Sequence, residues 1–140
     1  EVAAWSMTHV AGVSIDNYCP ECGKCSDWHG ERERIARQVK ESAYHIINYK
    51  GATYFGIGMS LVRIVGTILQ DQNSVLTVST YLDGEYGLQD VCLGIPSILG
   101  QGGVKRIIET ELYPEEQSAL ERSAQTLKDG IASLKQAEKI

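Results

Sequence analysis

Apolar residues recur at helical spacing in three stretches of the chain. The first stretch predicts an amphipathic helix over Glu31 to Lys50 that ends at Gly51, because its apolar residues are three or four positions apart and glycine commonly follows a helix. The second stretch follows at once, with Thr53 as its predicted N-cap. The third begins at Pro114, in the first helical position that proline favours. The apolar residues of the three helices are Ile35, Val39, Ala43, Ile46 and Ile47; Ile57, Leu61, Ile64, Val65, Ile68 and Leu69; and Leu120, Ala124, Leu127, Ile131 and Leu134.

Between the second and third helices the pattern changes to that of strands. Three apolar runs are separated by Asp83-Gly84 and by Gly102-Gly103, which are hairpin turn signals. The runs are Val75 to Leu82, Val91 to Leu99 and Val104 to Glu109. This order predicts an antiparallel meander packed by long helices, so the expected fold class is α+β.

The first thirty residues carry weaker signals. Glu1 to Ile15 alternates irregularly and indicates short extended segments with a turn at Ala11-Gly12. Asp16 to Gly30 is rich in Cys, Pro, Gly, Asp and Ser, which predicts a loop.

Composition narrows the possible partners. The 140 residues are enough for one domain, and the net charge of −5 has no clustered positive face, so we expect no nucleic-acid partner. No run of 18 apolar residues is present, so we expect no membrane partner. The chain begins without methionine and looks like part of a longer protein. Cysteines at close spacing without a secretory leader favour a reduced, cytoplasmic setting.

A cysteine-rich segment offers one candidate site. Cys19, Cys22 and Cys25 are three residues apart, and His29 follows four positions later. Thiolates at this spacing can coordinate one zinc ion, and the histidine could be the fourth ligand of a tetrahedral site. A segment of eleven residues is short for placing four ligands around one ion. A cysteine-bearing surface loop without metal is therefore the preferred interpretation, and the metal site stays as the alternative.

The glycines around Ile57 offer a second candidate. Gly56-Ile57-Gly58 resembles part of a dinucleotide-binding loop, but a helix precedes it and Leu61 stands where a third glycine would follow. Each glycine inside a helix costs about 1 kcal/mol relative to alanine. Two in one turn therefore indicate close approach by a ligand or by another backbone, or tight helix packing.

Several motifs together resemble bacterial L-lactate dehydrogenases of the lactate/malate dehydrogenase superfamily. They are Ala43-Tyr44, Lys50-Gly51-Ala52-Thr53-Tyr54-Phe55-Gly56-Ile57, Val75-Leu76-Thr77-Val78-Ser79, Asp83-Gly84-Glu85-Tyr86-Gly87 and Gly94-Ile95-Pro96, in family order at compatible spacings. The resemblance implies that residues 1–140 form the carboxy-terminal, substrate-binding and oligomerisation domain. It also implies that the NAD-binding Rossmann domain of the same polypeptide lies upstream.

The resemblance further implies NAD-dependent interconversion of pyruvate and L-lactate in glycolytic fermentation, by a cytoplasmic homotetramer. The residue matching Thr53 lies beside the bound 2-oxo acid, and the residue matching Ile57 packs on the nicotinamide ring. Gly51 and Gly56 are expected to let the helices come close to that pocket. No catalytic residue is assigned, because the catalytic histidine of the family lies upstream of residue 1. We therefore expect residues 1–140 alone not to catalyse the reaction.

Two alternatives stay open. The first is a malate or other L-2-hydroxyacid dehydrogenase of the same superfamily. The second is a small metal-binding interaction module built on the cysteines and His29. One departure from the family pattern is Tyr113, which stands where Ser or Thr commonly caps the last helix, so we expect a cap weaker by about 1 kcal/mol.

Overall fold

The structure, a computed structural model, describes residues 2–137. It contains four α-helices and five strands among these residues. The helices are α1 (Ile15–Cys22), α2 (Trp28–Lys50), α3 (Phe55–Leu69) and α4 (Pro114–Ala137). The strands are β1 (His9–Val10), β2 (Val13–Ser14), β3 (Ser74–Asp83), β4 (Gln89–Gly100) and β5 (Gly103–Ile107). None of the described helices is both long and apolar enough to cross a bilayer.

The predicted meander is confirmed. β3, β4 and β5 pair in sequence order, each antiparallel to the next, and the pairing of Val78 with Ile95 lies near the middle of the first ladder. Side chains alternate between the two faces of a strand, and on β4 every second residue from Val91 to Leu99 is buried. One sheet face therefore belongs to the core.

The core joins this sheet face to the first half of α4. Leu120 and Ala124 are buried against side chains from the end of β3 and from β4. The same apolar stripe continues along α4 to Leu127, Ile131 and Leu134, which are exposed. The residues that the structure describes therefore cover only the first half of the predicted stripe. The buried strand and turn residues of the cluster are Leu82, Leu88, Val91, Leu93 and Ile95.

The last helix is capped differently from the prediction. A carboxylate oxygen of Glu116 accepts a hydrogen bond from the backbone N–H of Tyr113 at 3.2 Å, and the Tyr113 carbonyl accepts from the N–H groups of Glu116 and Gln117. An acid three residues into a helix that reaches back to the N-cap amide is half of a capping box. Glu116 thus stabilises the start of α4 although neither Ser nor Thr stands at the N-cap.

The predicted loop from Asp16 to Gly30 is wrong in its first half. Residues 15–22 form α1, which ends where Gly23 adopts a positive φ of 65°. Composition alone did not indicate this helix, because its cysteines and proline are typical of loops. Asp16 favours its first turn by opposing the helix dipole, and Gly23 supplies the left-handed C-cap.

The predicted second helix begins at Phe55, one residue later than the proposed cap implies. Tyr54, not Thr53, is the N-cap of α3, and its side chain makes no capping hydrogen bond. Thr53 lies just outside the helix, in the connection that follows Gly51. Helix α2 begins three residues earlier than predicted, at Trp28, because the Asp27 side chain accepts a hydrogen bond from the Gly30 N–H at 3.0 Å.

Candidate functional site

Residues 50–57, here called the elbow, comprise the last residue of α2, the connection and the start of α3. Gly51 ends α2 with a φ of 79°, and its N–H donates to the Ile47 carbonyl at 2.7 Å. This left-handed conformation is strained for residues with a side chain, so glycine is required here. The Lys50 Nζ then lies 5.5 Å from the ring centroid of Tyr54 and 4.8 Å from that of Phe55. A cation over two aromatic rings helps to fix the direction in which α3 leaves the elbow.

The two site residues suggested by the resemblance lie at the same end of α3. Thr53 is half-buried and precedes the N-cap, whereas Ile57 is on the first turn and 58% exposed. Two described cavities lie elsewhere. One of about 480 Å³ is lined by Trp5, Ile35 and Val39, and another of about 620 Å³ lies between β4 and α4. Because the side chains of Tyr54, Phe55 and Ile57 are all more than half exposed, the elbow is an open wall within the described residues.

The electrostatics of this wall favour an anion. The first turn of α3 carries no acidic residue and no side-chain cap, so its first N–H groups keep their partial positive charge. Gly58 N–H bonds to the Tyr54 carbonyl at 2.8 Å, which starts the regular helix ladder. A carboxylate placed near Thr53 would meet the positive end of the helix dipole.

Gly51 and Gly56 of the elbow, and Gly58 directly after it, do not bring helices together among the described residues. Apart from chain neighbours and the backbone of the same helix, a Cβ built at Gly51, Gly56 or Gly58 meets no described atom within 4 Å. The tight helix packing considered for Gly56 and Gly58 is therefore not seen among the described residues, and the approach of the helices to a substrate pocket at Gly51 and Gly56 stays a prediction. The positive φ of Gly51 explains why glycine stands there. The open space beside Gly56 and Gly58 leaves room for a ligand or for another backbone from outside the described residues.

A polar cluster around Asp16 holds the other end of α2. The Asp16 carboxylate accepts from Trp28 Nε1 at 2.6 Å, from Arg32 at 3.3 Å and from the Tyr113 hydroxyl at 2.8 Å. The Trp28 hydrogen bond, followed by those from Tyr113 and the Arg32 charge, holds the pKa of Asp16 below its usual value even though burial opposes this. Since these residues come from α1, α2 and the start of α4, the carboxylate joins three helices. We call this group the Asp16 anchor.

Sequence patterns did not reveal this anchor. Arg32 belongs to a run of alternating charges that is typical of a solvated helix start, and Arg34 in the same run does pair with Glu31 on the exposed face. Arg32 instead turns inward, where its guanidinium also lies 5.5 Å from the Trp5 ring. The only available signal was the clustering of Trp5, Trp28 and acids in the first thirty residues, which does not specify partners.

The cysteines of the alternative metal site lie on α1 and just beyond it. Cys19 is buried, and Cys22 Sγ donates to the Cys19 carbonyl at 3.3 Å. Burial raises the pKa of the Cys19 thiol, and the nearby thiols of Cys25 and Cys22 raise it further. His29 is on the first turn of α2, where its charged form favours the ionised Asp16 and lowers the pKa of that carboxyl. Across residues 2–137, no group of three or more His, Cys, Asp or Glu side chains is arranged to hold a metal ion.

Comparison with known proteins gives a consistent result. Residues 1–138 match the family model of the lactate/malate dehydrogenase alpha/beta C-terminal domain. An L-lactate dehydrogenase of Treponema denticola is 52% identical over 135 residues, which cover 96% of this chain and 42% of that protein. The chain thus spans less than half the length of this relative.

Solved structures agree with the sequence comparison. A minor L-lactate dehydrogenase from Enterococcus mundtii, in a ligands-bound form, superposes with a TM-score of 0.88 at 42% identity, covering 94% of this chain and 41% of that one. A malate dehydrogenase from Salinibacter ruber superposes with a TM-score of 0.86 at 27% identity, covering 99% of this chain and 43% of that one.

Proposed function

The chain belongs to the lactate/malate dehydrogenase family, in which it corresponds to the α/β C-terminal domain, and from this premise we propose that the full-length protein interconverts pyruvate and L-lactate with NAD. The observation that carries the proposal is the 52% identity to an L-lactate dehydrogenase over 96% of this chain. In this proposal residues 1–140 supply one wall of the active site. An NAD-binding domain earlier in the same polypeptide supplies the other wall, and the cytoplasmic protein is a homo-oligomer, expected to be a tetramer.

Thr53 is proposed to contact the 2-oxo acid. Its short side chain is half-buried at the elbow, and the uncapped first turn of α3 favours a carboxylate beside it. A hydroxyl at this position can donate to the substrate carboxylate. A longer side chain would occupy substrate space, so Thr53 also sets the width of the pocket.

Ile57 is proposed to contact the cofactor. Its aliphatic side chain is 58% exposed on the first turn of α3, so it can pack on the apolar face of a nicotinamide. When bound, the cofactor supplies the hydride. An aliphatic contact excludes water from the ring and favours its uncharged, reduced form over the positively charged one. No residue of this chain is assigned to proton transfer.

The experiment is a substrate comparison on the full-length protein. We expect kcat/KM with NADH to be highest for pyruvate, lower for a branched 2-oxo acid and lowest for oxaloacetate, with L-lactate as the product. The similarity to a malate dehydrogenase makes oxaloacetate the competing substrate. A preference for oxaloacetate would replace lactate by malate in the proposal, and no NADH oxidation with any 2-oxo acid would overturn it.

A further inference from the structure

We propose that Cys19 and Cys22 are a redox-active thiol pair that closes to a disulfide when the protein meets a peroxide, and that thiol reductants reopen it. The inference is independent of the proposed dehydrogenase activity. The short helix α1 carries a buried and a half-buried thiol on one face, and a third thiol, Cys25, lies just beyond its C-cap.

The helix brings the two sulfur atoms to the same side. Residues three apart in an α-helix have Cα atoms about 5 Å apart, inside the range of roughly 4.4–6.8 Å that disulfides span. Cys22 Sγ already points back along the helix, since it donates to the Cys19 carbonyl at 3.3 Å. No backbone rearrangement across the molecule is needed to join them.

The end of α1 is able to make the remaining adjustment. Helical neighbours have Cβ atoms about 5–6 Å apart, whereas a disulfide needs roughly 3.5–4.5 Å. Pro20 lies inside α1 and has no N–H to donate to the Asp16 carbonyl, so the last turn lacks one of its hydrogen bonds. Gly23, with its positive φ, ends the helix directly after Cys22. The turn that must tighten is therefore the least constrained one.

Differences in burial divide the chemistry between the two thiols. Cys19 is 7% exposed, whereas Cys22 is half-buried and reachable from solvent. The Cys22 thiolate attacks one peroxide oxygen, the O–O bond breaks, and a sulfenic acid and hydroxide form. The Cys19 sulfur then attacks the Cys22 sulfur, the S–O bond breaks, and the hydroxyl leaves as water with the Cys19 proton. In total, two thiols and one hydrogen peroxide give one disulfide and two waters.

Trypsin offers a direct readout in the full-length protein. Lys24 separates Cys19 and Cys22 from Cys25, and no other Lys or Arg precedes it in this sequence. The reduced protein is treated with hydrogen peroxide, blocked with iodoacetamide, digested and analysed by mass spectrometry. We expect the peptide that ends at Lys24 to lack both alkyl groups and to be lighter by two hydrogens, and dithiothreitol before blocking to restore both groups.

Two cysteine variants provide the matched controls. Cys22→Ser should abolish the mass loss. Cys92→Ser should leave it unchanged, because Cys92 is an exposed thiol on β4 far along the chain. The proposal is overturned if Cys19 and Cys22 stay fully alkylated under peroxide, if they stop at sulfenic or sulfinic acid, or if the disulfide found links the Lys24 peptide to the peptide that contains Cys25. Thermal melting of each reduced variant checks that it is folded.

Discussion

At the scale of single residues, Thr53 is the position where a small change should alter specificity. We expect Thr53→Gly in the full-length protein to raise kcat/KM for a branched 2-oxo acid relative to pyruvate by roughly tenfold or more, since each methylene in an apolar pocket is worth about 1–3 kcal/mol. Thr53→Ser keeps the hydroxyl and should shift the ratio less. Steady-state kinetics with both substrates measure the effect, and an unchanged ratio would contradict the proposed contact.

Residue roles at the elbow show the limit of sequence patterns. Gly51 was predicted as a helix terminator, and its positive φ confirms this. Thr53 was predicted as an N-cap, but the helix begins later and its own cap is Tyr54. Periodicity locates helices well and their first residues poorly. The functional roles of Thr53 and Ile57 came only from the resemblance, because an exposed isoleucine has no signature of its own.

At the scale of elements, the Asp16 anchor should stabilise the packing of α1, α2 and α4. We expect Asp16→Ala to lower the free energy of unfolding by about 1.5–3 kcal/mol, the range for hydrogen bonds to a charged group. Urea denaturation of the full-length protein measures this. Asp129→Ala is the matched control, since Asp129 is exposed on α4 and accepts a hydrogen bond from the exposed Gln125 at 2.7 Å. If both variants lower the free energy of unfolding equally, the Asp16 anchor stabilises the fold no more than an exposed hydrogen bond does.

The same carboxylate gives the prediction a pH signature. Because the folded-state pKa of Asp16 is lowered, the folded protein binds fewer protons at this site than the unfolded chain. The stabilisation is therefore fully present at neutral pH, and it is lost as the pH falls below about 4 and through the folded-state pKa. The stability difference between the wild type and Asp16→Ala should shrink in that acidic window.

The elements themselves were predictable to different degrees. The meander and the long helices followed from periodicity and turn residues, because their apolar positions repeat over many residues. Helix α1 was missed because eight residues with a proline and two cysteines give no repeat to read. The Asp16 anchor was missed because it joins residues that are distant in the sequence: Asp16 and Tyr113 are 97 positions apart. Local patterns carry no information about such contacts.

At the scale of the whole molecule, α3 is the element whose environment is incomplete. Its apolar side chains are exposed on several sides, which is unusual for a helix of a stable monomer. The remaining part of a longer polypeptide or a second subunit is expected to cover it. The exposed apolar residues on α3 are Phe55, Ile57, Met59, Leu61, Val62, Val65 and Leu69.

This exposure predicts the behaviour of residues 1–140 expressed alone. We expect no NADH oxidation with pyruvate, and self-association that light scattering after size-exclusion chromatography detects. Leu61→Glu should reduce the association because it removes exposed apolar surface. Ser60→Glu adds the same charge beside it without removing apolar surface, so its effect should be smaller. A monodisperse monomer that binds no partner domain would contradict the view that α3 is an interface.

The outer edge of β3 has a separate consequence. Among the described strands, β3 pairs on one side only, and its ten residues carry no charge before Asp83 and no proline. Free N–H and C=O groups along such an edge can template extended segments of other molecules. A truncated product or a stalled nascent chain would therefore be prone to form fibrillar aggregates. Covering this edge early in synthesis would reduce the amount of protein lost to aggregation.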